Sequence, residues 1–320
     1  MITRRWFSSA GLAVAGCGFK RDDRGRPRRP SPVAVIKAAD YSADLLTALR
    51  QGAHLCGFDW RGKRVLIKPN LVEFDAARPV NTSAAMVAAV VELARSLGAA
   101  EVAVGEGPGH RRDTLALAEQ AGYFEAIPGF ERLFTDLNRD EVVAQPSRFS
   151  TGRVYLPRTA MAADIVISVP RLKTHHWVGV TLAMKNLFGL IPGSIYGWPK
   201  NPLHYEGITR SITEINRLVP RTVAIVDGIV GMEGNGPIQG VPRRAGVVVM
   251  SGDVAAADAT CARLMDISPS RVDYLSGAEA AATWRLEDIE QRGELIAPLT
   301  QQFALPPGQE RLRAGKTKYS

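Results

Sequence analysis

The chain of 320 residues has only three cysteines, Cys17, Cys56 and Cys261, spread far apart. Three scattered thiols cannot hold a four-cysteine iron–sulfur cluster, and no C-x-x-C pair offers a dithiol centre. There is no serine elbow and no H-E-x-x-H helix, so the hydrolase triad and the zincin site lack their usual frames. Glycine is plentiful, yet no P-loop is present and the G-x-G-x-x-G spacing is broken at Gly105–Gly109, which leaves no nucleotide fingerprint. Basic charge is also scarce where a nucleic acid would need it. The net charge is +8, but residues 1–32 carry eight Lys/Arg against two Asp, and residues 311–320 add four positive charges. The body, 33–310, is left at −2. No nucleic-acid partner is expected.

What remains is a globular composition, 46% apolar and 22% charged, sufficient for a sizeable core in one large or two ordinary domains. The first 32 residues stand apart from it. Thr3-Arg4-Arg5-Trp6-Phe7, ahead of a short and mildly apolar stretch, reads as a twin-arginine export signal. Val14-Ala15-Gly16-Cys17 reads as a lipobox, with Cys17 the lipidation site, and the stretch is too short for a permanent membrane span. Residues 18–32 are charged and proline-rich and read as a tether. The expected organisation is a signal (1–17), a tether (18–32), an α/β domain (33–285) and a C-terminal extension with a basic tail (286–320). The body would then sit on the periplasmic side of the cell envelope, held to the membrane by its lipid.

From Val33 the chain alternates strand and helix. Strands are predicted at Val33–Ile36, Val65–Ile67, Glu101–Val104, Asp164–Val169, Thr222–Val226 and Ala245–Met250. Helices are predicted after Ser42, after a cap at Asn81 or Thr82, from Arg112 to Phe124, and after Asp253. Arg132–Leu156 reads as two or three short strands, and the last fifty residues show weak helical periodicity. This order predicts an α/β fold, a mostly parallel sheet with helices on both faces, in one lobe or two.

The densest stretch is Asp164–Leu190. Its apolar strand ends at Pro170, which has no N–H for a ladder. Arg171-Leu-Lys-Thr-His-His176 then occupies the place of a strand-to-helix loop, and Val180–Leu190 reads as a helix carrying Lys185 and Asn186. V-P-R-L-K-T-H followed by M-K-N-L-F-G resembles the central signature of the domain-of-unknown-function 362 family. I-K-P-N-L-V at Ile67–Val72, the N-T pair at Asn81 and D-G-I-V-G-M-E-G-N-G-P at Asp227–Pro237 follow the same pattern in the same order, from about Val33 to Asp258. The resemblance implies no particular reaction. Some relatives carry ferredoxin-type iron–sulfur segments, which these cysteines do not reproduce.

In a parallel sheet, ligands bind beyond the carboxyl ends of the strands. Lys68 and Asn70, Glu106 with Gly107, Lys173 and His175, Asp227 and Asp253 all stand at predicted strand ends, so one shared cleft is expected. Lys68, Lys173 and Lys185 offer positive charge to a carboxylate or phosphate. Lys173, as a cleft residue, is expected to matter for binding more than for folding. Asp227 and Glu233 offer oxygen to a divalent cation. His175 can serve as a base or a metal ligand, whereas His176, its neighbour in an extended segment, would face the other way. Lys173, Lys185 and His175 are the candidate catalytic residues, and Asn186 and Asn235 are candidate ligand contacts. Tyr196, Trp198 and His204 lie in a turn-rich aromatic segment that reads as a lid or a pinned surface loop. The expected function is a lipid-anchored protein binding an anionic small molecule, with a divalent metal. Alternatives are a non-catalytic ligand- or cofactor-binding envelope protein and, from the relatives alone, a redox partner with an iron–sulfur centre.

Overall fold

A computed structural model describes residues 30–42, 44–109, 113–276 and 285–313. The export signal, Cys17 and most of the tether lie outside the described residues. The strands are β1 (Ser31–Lys37), β2 (Arg64–Pro69), β3 (Glu101–Glu106), β4 (Phe134–Asp136), β5 (Val142–Pro146), β6 (Arg153–Pro157) and β7 (Ile165–Val169). They continue as β8 (Arg171–His175), β9 (Gly179–Thr181), β10 (Thr222–Glu233), β11 (Val241–Arg243), β12 (Val247–Ser251) and β13 (Ile289–Gly293). The central sheet runs β13-β1-β12-β10-β7-β2-β3-β4, while β5 and β6 form a separate hairpin. Every neighbouring pair along the path is parallel except those of β12, which opposes both β1 and β10.

The side-chain period of two gives this sheet a core on each face. Val33, Val35, Leu66, Val166, Ala224, Val226, Val247 and Val249 point to one side, beneath the helices Ile208–Leu218 and Val254–Leu264. Their chain neighbours Ala34, Ile36, Val65, Ile67, Ile165, Ile167, Val223, Ile225, Val248 and Met250 point to the other, against Leu45–Cys56 and Ala84–Ser96. The chain is thus an α/β protein with a mostly parallel sheet and helices on both faces.

Several local expectations are corrected. The polar run after Pro170 is a strand, not a loop: β8 pairs with β9 in a hairpin and with the far half of β10. Its polar side chains all find hydrogen-bond partners within the fold, which is why so hydrophilic a sequence stays extended. β10 does not end at Asp227 but runs on to Glu233, with a register shift between Asp227 and Met232. The helix expected after Asn81 or Thr82 begins at Ala84 with Ser83 at its N-cap. Asn81 instead accepts from Val72 N, and Thr82 links Asn70 N to Val169 O. Asp253 caps the helix Val254–Leu264 and follows β12, so the antiparallel strand carries it to the opposite edge of the sheet. The segment after residue 285 supplies β13, an edge strand on β1, and the buried Phe303 and Leu312.

Candidate functional site

β8, β9 and the extended half of β10 rise above the carboxyl edge of the sheet, beside the ends of β2 and β3. The ends of β2 and β3, β8, the Lys185–Gly189 segment, the Pro199–Ile208 segment and the turn after β10 line a cavity of about 680 Å³. It is lined by Lys68, Asn70, Glu106, Gly107, Lys173, His175, Lys185, Asn186 and Asn235, so nine of the residues expected to share a cleft meet in it. Asp227 and Glu233 do not.

The floor is a buried ion pair. Lys68 Nζ lies 2.6 Å from Glu106 Oε1, and both side chains are almost wholly buried. Glu106 also accepts from Leu71 N (3.0 Å) and Gly107 N (2.8 Å), while Lys68 donates to Pro69 O (3.2 Å) and Asn186 Oδ1 (3.4 Å). A buried pair survives only with such extra bonds. Asn186 is fixed in turn, its amide donating to Lys68 O and Ser168 Oγ, both at 3.1 Å. The M-K-N-L-F-G run therefore holds this floor from above, and its Gly189 is required: a Cβ there would lie 2.6 Å from both Lys68 Nζ and Glu106 Oε1.

Lys173 is fully buried and donates to Asn70 Oδ1 (2.6 Å), Val80 O (2.8 Å) and Pro237 O (3.5 Å). These acceptors take up its N–H bonds, while burial, then the Arg171 and Lys185 charges, push it well below the ordinary lysine range. It braces the Asn70–Val80 loop against the Pro237 turn. Lys200, a residue the sequence did not single out, is equally buried and donates to Gly107 O (2.8 Å) and Gly189 O (3.4 Å). Burial pushes Lys200 down to about 7 against the pull of Glu106.

Lys185 differs from the others. It is half-buried on the cavity wall, 4.7 Å from the centre of the Phe188 ring, and has no hydrogen-bond acceptor among the described residues. Burial, with the Lys68 charge nearby, lowers it to about 8. Its helix, Ala183–Asn186, is held at its start by the buried Asp258, which accepts from Ala183 N (2.7 Å) and Met184 N (3.0 Å).

The two histidines face the same cavity in opposite tautomers, as their bonding assigns them. His175 Nδ1 accepts from Trp177 N (3.0 Å) and Val178 N (3.4 Å), so its proton is on Nε2. Burial, then the Lys185 charge, holds His175 well below the ordinary histidine range, and the ring is neutral. Through Nε2 it is a donor, without the free lone pair that a base or a metal ligand needs. His176 Nδ1 lies 2.8 Å from Gly236 O, which can only accept, so the lone pair of His176 is on Nε2. The rings stack at 4.9 Å and 21° instead of facing apart, and His176 is the imidazole with a basic nitrogen to offer. Trp177, 61% exposed, extends this stack to His204 at the rim.

The metal expectation is not supported by placement. Asp227 is fully buried and takes the Tyr41 hydroxyl (2.9 Å), Ser83 N (3.3 Å) and an ion pair with Arg171 at 3.6 Å. Glu233 accepts from Ala304 N (2.9 Å) and faces Arg243 at 3.8 Å, pinning the C-terminal segment. Among the described residues no three His, Cys, Asp or Glu side chains gather as a metal-ion set.

Residues 65–263 match the family described as Domain of unknown function (DUF362). The chain belongs to this family. A thylakoid-associated protein of Synechocystis sp. is 29% identical over 280 residues, covering 84% of this chain and 83% of that one. Among solved structures, the lactate racemase apoprotein of Thermoanaerobacterium thermosaccharolyticum aligns with a TM-score of 0.45 at 12% identity, over 74% of this chain and 57% of that one. A structural-genomics protein from Thermotoga maritima aligns at 0.37 and 14% identity, over 68% of this chain and 57% of that one. The chain thus spans a little over half the length of both solved structures. In this DUF362 member the motif residues of the central signature converge on one cavity, and no reaction comes with the family.

Proposed function

We propose that this protein binds a small anionic organic molecule in the cavity above β2, β3 and β8, with the anionic group received by Lys185. The observation that carries this reading is the Lys185 ammonium, which lines the cavity with no hydrogen-bond acceptor among the described residues. Among the described residues four lysines line the same space, and Lys68 is paired with Glu106 at 2.6 Å. When protonated, below about 7, Lys200 has a third N–H beyond its two carbonyl acceptors. The cavity volume of about 680 Å³ lies within the range of small-molecule sites. Phe188, Trp177 and His204 offer faces for the organic body, and His175 Nε2–H is a further donor.

The same reading places the body at a membrane, through export and a lipid on Cys17. Its support is the twin arginine and the V-A-G-C run, together with a relative named for its association with thylakoids.

The test is a thermal-shift and calorimetric screen of small phosphates and carboxylates, repeated on Lys185→Met and Lys185→Arg. Lys185→Met should weaken the best ligand roughly tenfold or more, since a charge-assisted bond contributes about 1.5–3 kcal/mol. Lys185→Arg should retain much of the binding. Equal affinity in Lys185→Met, or no anion bound at all, would contradict the reading.

A further inference from the structure

Of the four cavity lysines, Lys185 alone has no hydrogen-bond acceptor on its nitrogen among the described residues. Lys68 and Lys173 each donate to three acceptors, and Lys200 to two backbone carbonyls. The Lys185 side chain is nonetheless placed. Its helix is fixed at the start by Asp258, the next residue, Asn186, is locked by Lys68 O and Ser168, and the ammonium rests over Phe188. An amine that is held in position, faces a cavity and is engaged by no acceptor has the arrangement of a nucleophile.

Resting on the reading that the cavity takes an anion, we infer that Lys185 is a reactive amine that forms an imine with an anionic carbonyl compound. The substrate class is then an aldehyde or ketone bearing a carboxylate or phosphate. In the step, the Lys185 nitrogen adds to the carbonyl carbon to give a carbinolamine. A C=N bond then forms as the C–O bond breaks, and both protons of the neutral amine end on the departing water. No oxidant or reductant is needed. The amine must be unprotonated to add, and its fall to about 8 provides this near neutral pH: at pH 8 about half of such a group is neutral, against less than about one part in a hundred for an ordinary lysine. The neighbouring charges are arranged for the rest of the molecule. The Lys68 ammonium lowers Lys185 while remaining tied to Glu106. His176, with a basic Nε2, and His175, with Nε2–H, face the same space for later proton transfers at the bound carbon.

The probe is pyridoxal 5′-phosphate, an aldehyde with a phosphate, added to the full chain at pH 8, reduced with borohydride and mapped by peptide mass spectrometry. Lys185 should carry the reduced adduct at roughly tenfold or more the level on exposed Lys37, following its larger neutral fraction. Inorganic phosphate should protect it. Lys185→Arg, which keeps the charge and cannot form an imine, should still bind the probe reversibly without any adduct in the cavity. Probe retained and competed by phosphate, with no adduct on Lys185, would overturn the imine and leave the anion reading standing. Neither retention nor adduct would overturn both. Labelling spread evenly over surface lysines, with Lys185 no higher than Lys37, would also overturn the proposal.

Discussion

Lys68 and Glu106 meet at 2.6 Å under Gly189, on whose Cα neither a methyl group nor any larger side chain has room. Two strand ends, β2 and β3, and the glycine of a third segment are thereby locked into one layer, and the cavity floor is that layer. Gly189→Ala should force the pair apart. A loss of about 1–3 kcal/mol is expected for such overpacking, read as a lower urea midpoint. Unchanged stability would mean that the floor is more yielding than its geometry implies.

Glu106→Gln removes the charge and keeps the shape. The Lys68 ammonium is then buried without a counter-ion, a change expected to destabilise by about 3–5 kcal/mol. Adding Lys68→Met to the same chain should recover part of that loss. A double variant no better than Glu106→Gln in a denaturant titration would argue that the pair is not the source of the effect.

Lys173→Met should act on folding. The sequence alone suggests a cleft lysine whose replacement weakens binding, but Nζ is fully buried and engaged by three acceptors of the protein. Removing it strands Asn70 Oδ1 and the Val80 carbonyl, and each unsatisfied acceptor costs about 1–3 kcal/mol. A drop in unfolding free energy of roughly that size or more is expected from chemical denaturation. A variant as stable as the parent, with anion binding lost, would return Lys173 to the ligand.

Lys185 predicts two opposite pH trends. It releases its proton near 8 in the folded chain, whereas an unfolded lysine holds it to about 10.4. Between those values the unfolded state binds more protons, so the stability of the ligand-free protein should rise with pH. Affinity for an anion should fall over the same window, because the receiving charge is lost. Calorimetry across this range, with Lys185→Met as the comparison, checks both trends. An affinity independent of pH in the parent would place the anion elsewhere.

Cys17→Ser should move the full chain from the membrane fraction to the soluble fraction of its own host. Membrane association that survives this change would remove the lipid from the account.

Much of this was legible in the residues. The rule that ligands meet the carboxyl ends of parallel strands brought Lys68, Asn70, Glu106, Lys173 and His175 together, because those strands do share an edge. Asp253 failed the same rule because one strand, β12, runs the other way, a fact of topology that its apolar run does not carry. Asp227 failed because β10 continues past it through Gly-Ile-Val-Gly-Met, whose alternation fits a strand as well as a turn. Hydrophobicity misplaced Arg171–His175 as a loop, since Lys173 and Thr174 are satisfied by distant segments, Asn70 and Gly234. Lys200 stayed hidden for a similar reason. It sits among turn formers, and only the folding of that segment over Gly107 and Gly189 buries it.

Whether Lys185 holds an anionic small molecule can be read by native mass spectrometry of the full chain, purified from its own host without denaturation. A retained small molecule carrying a carboxylate or phosphate should be present in the parent and depleted in Lys185→Met. A parent protein at its bare mass, or a ligand held equally well by Lys185→Met, would contradict it.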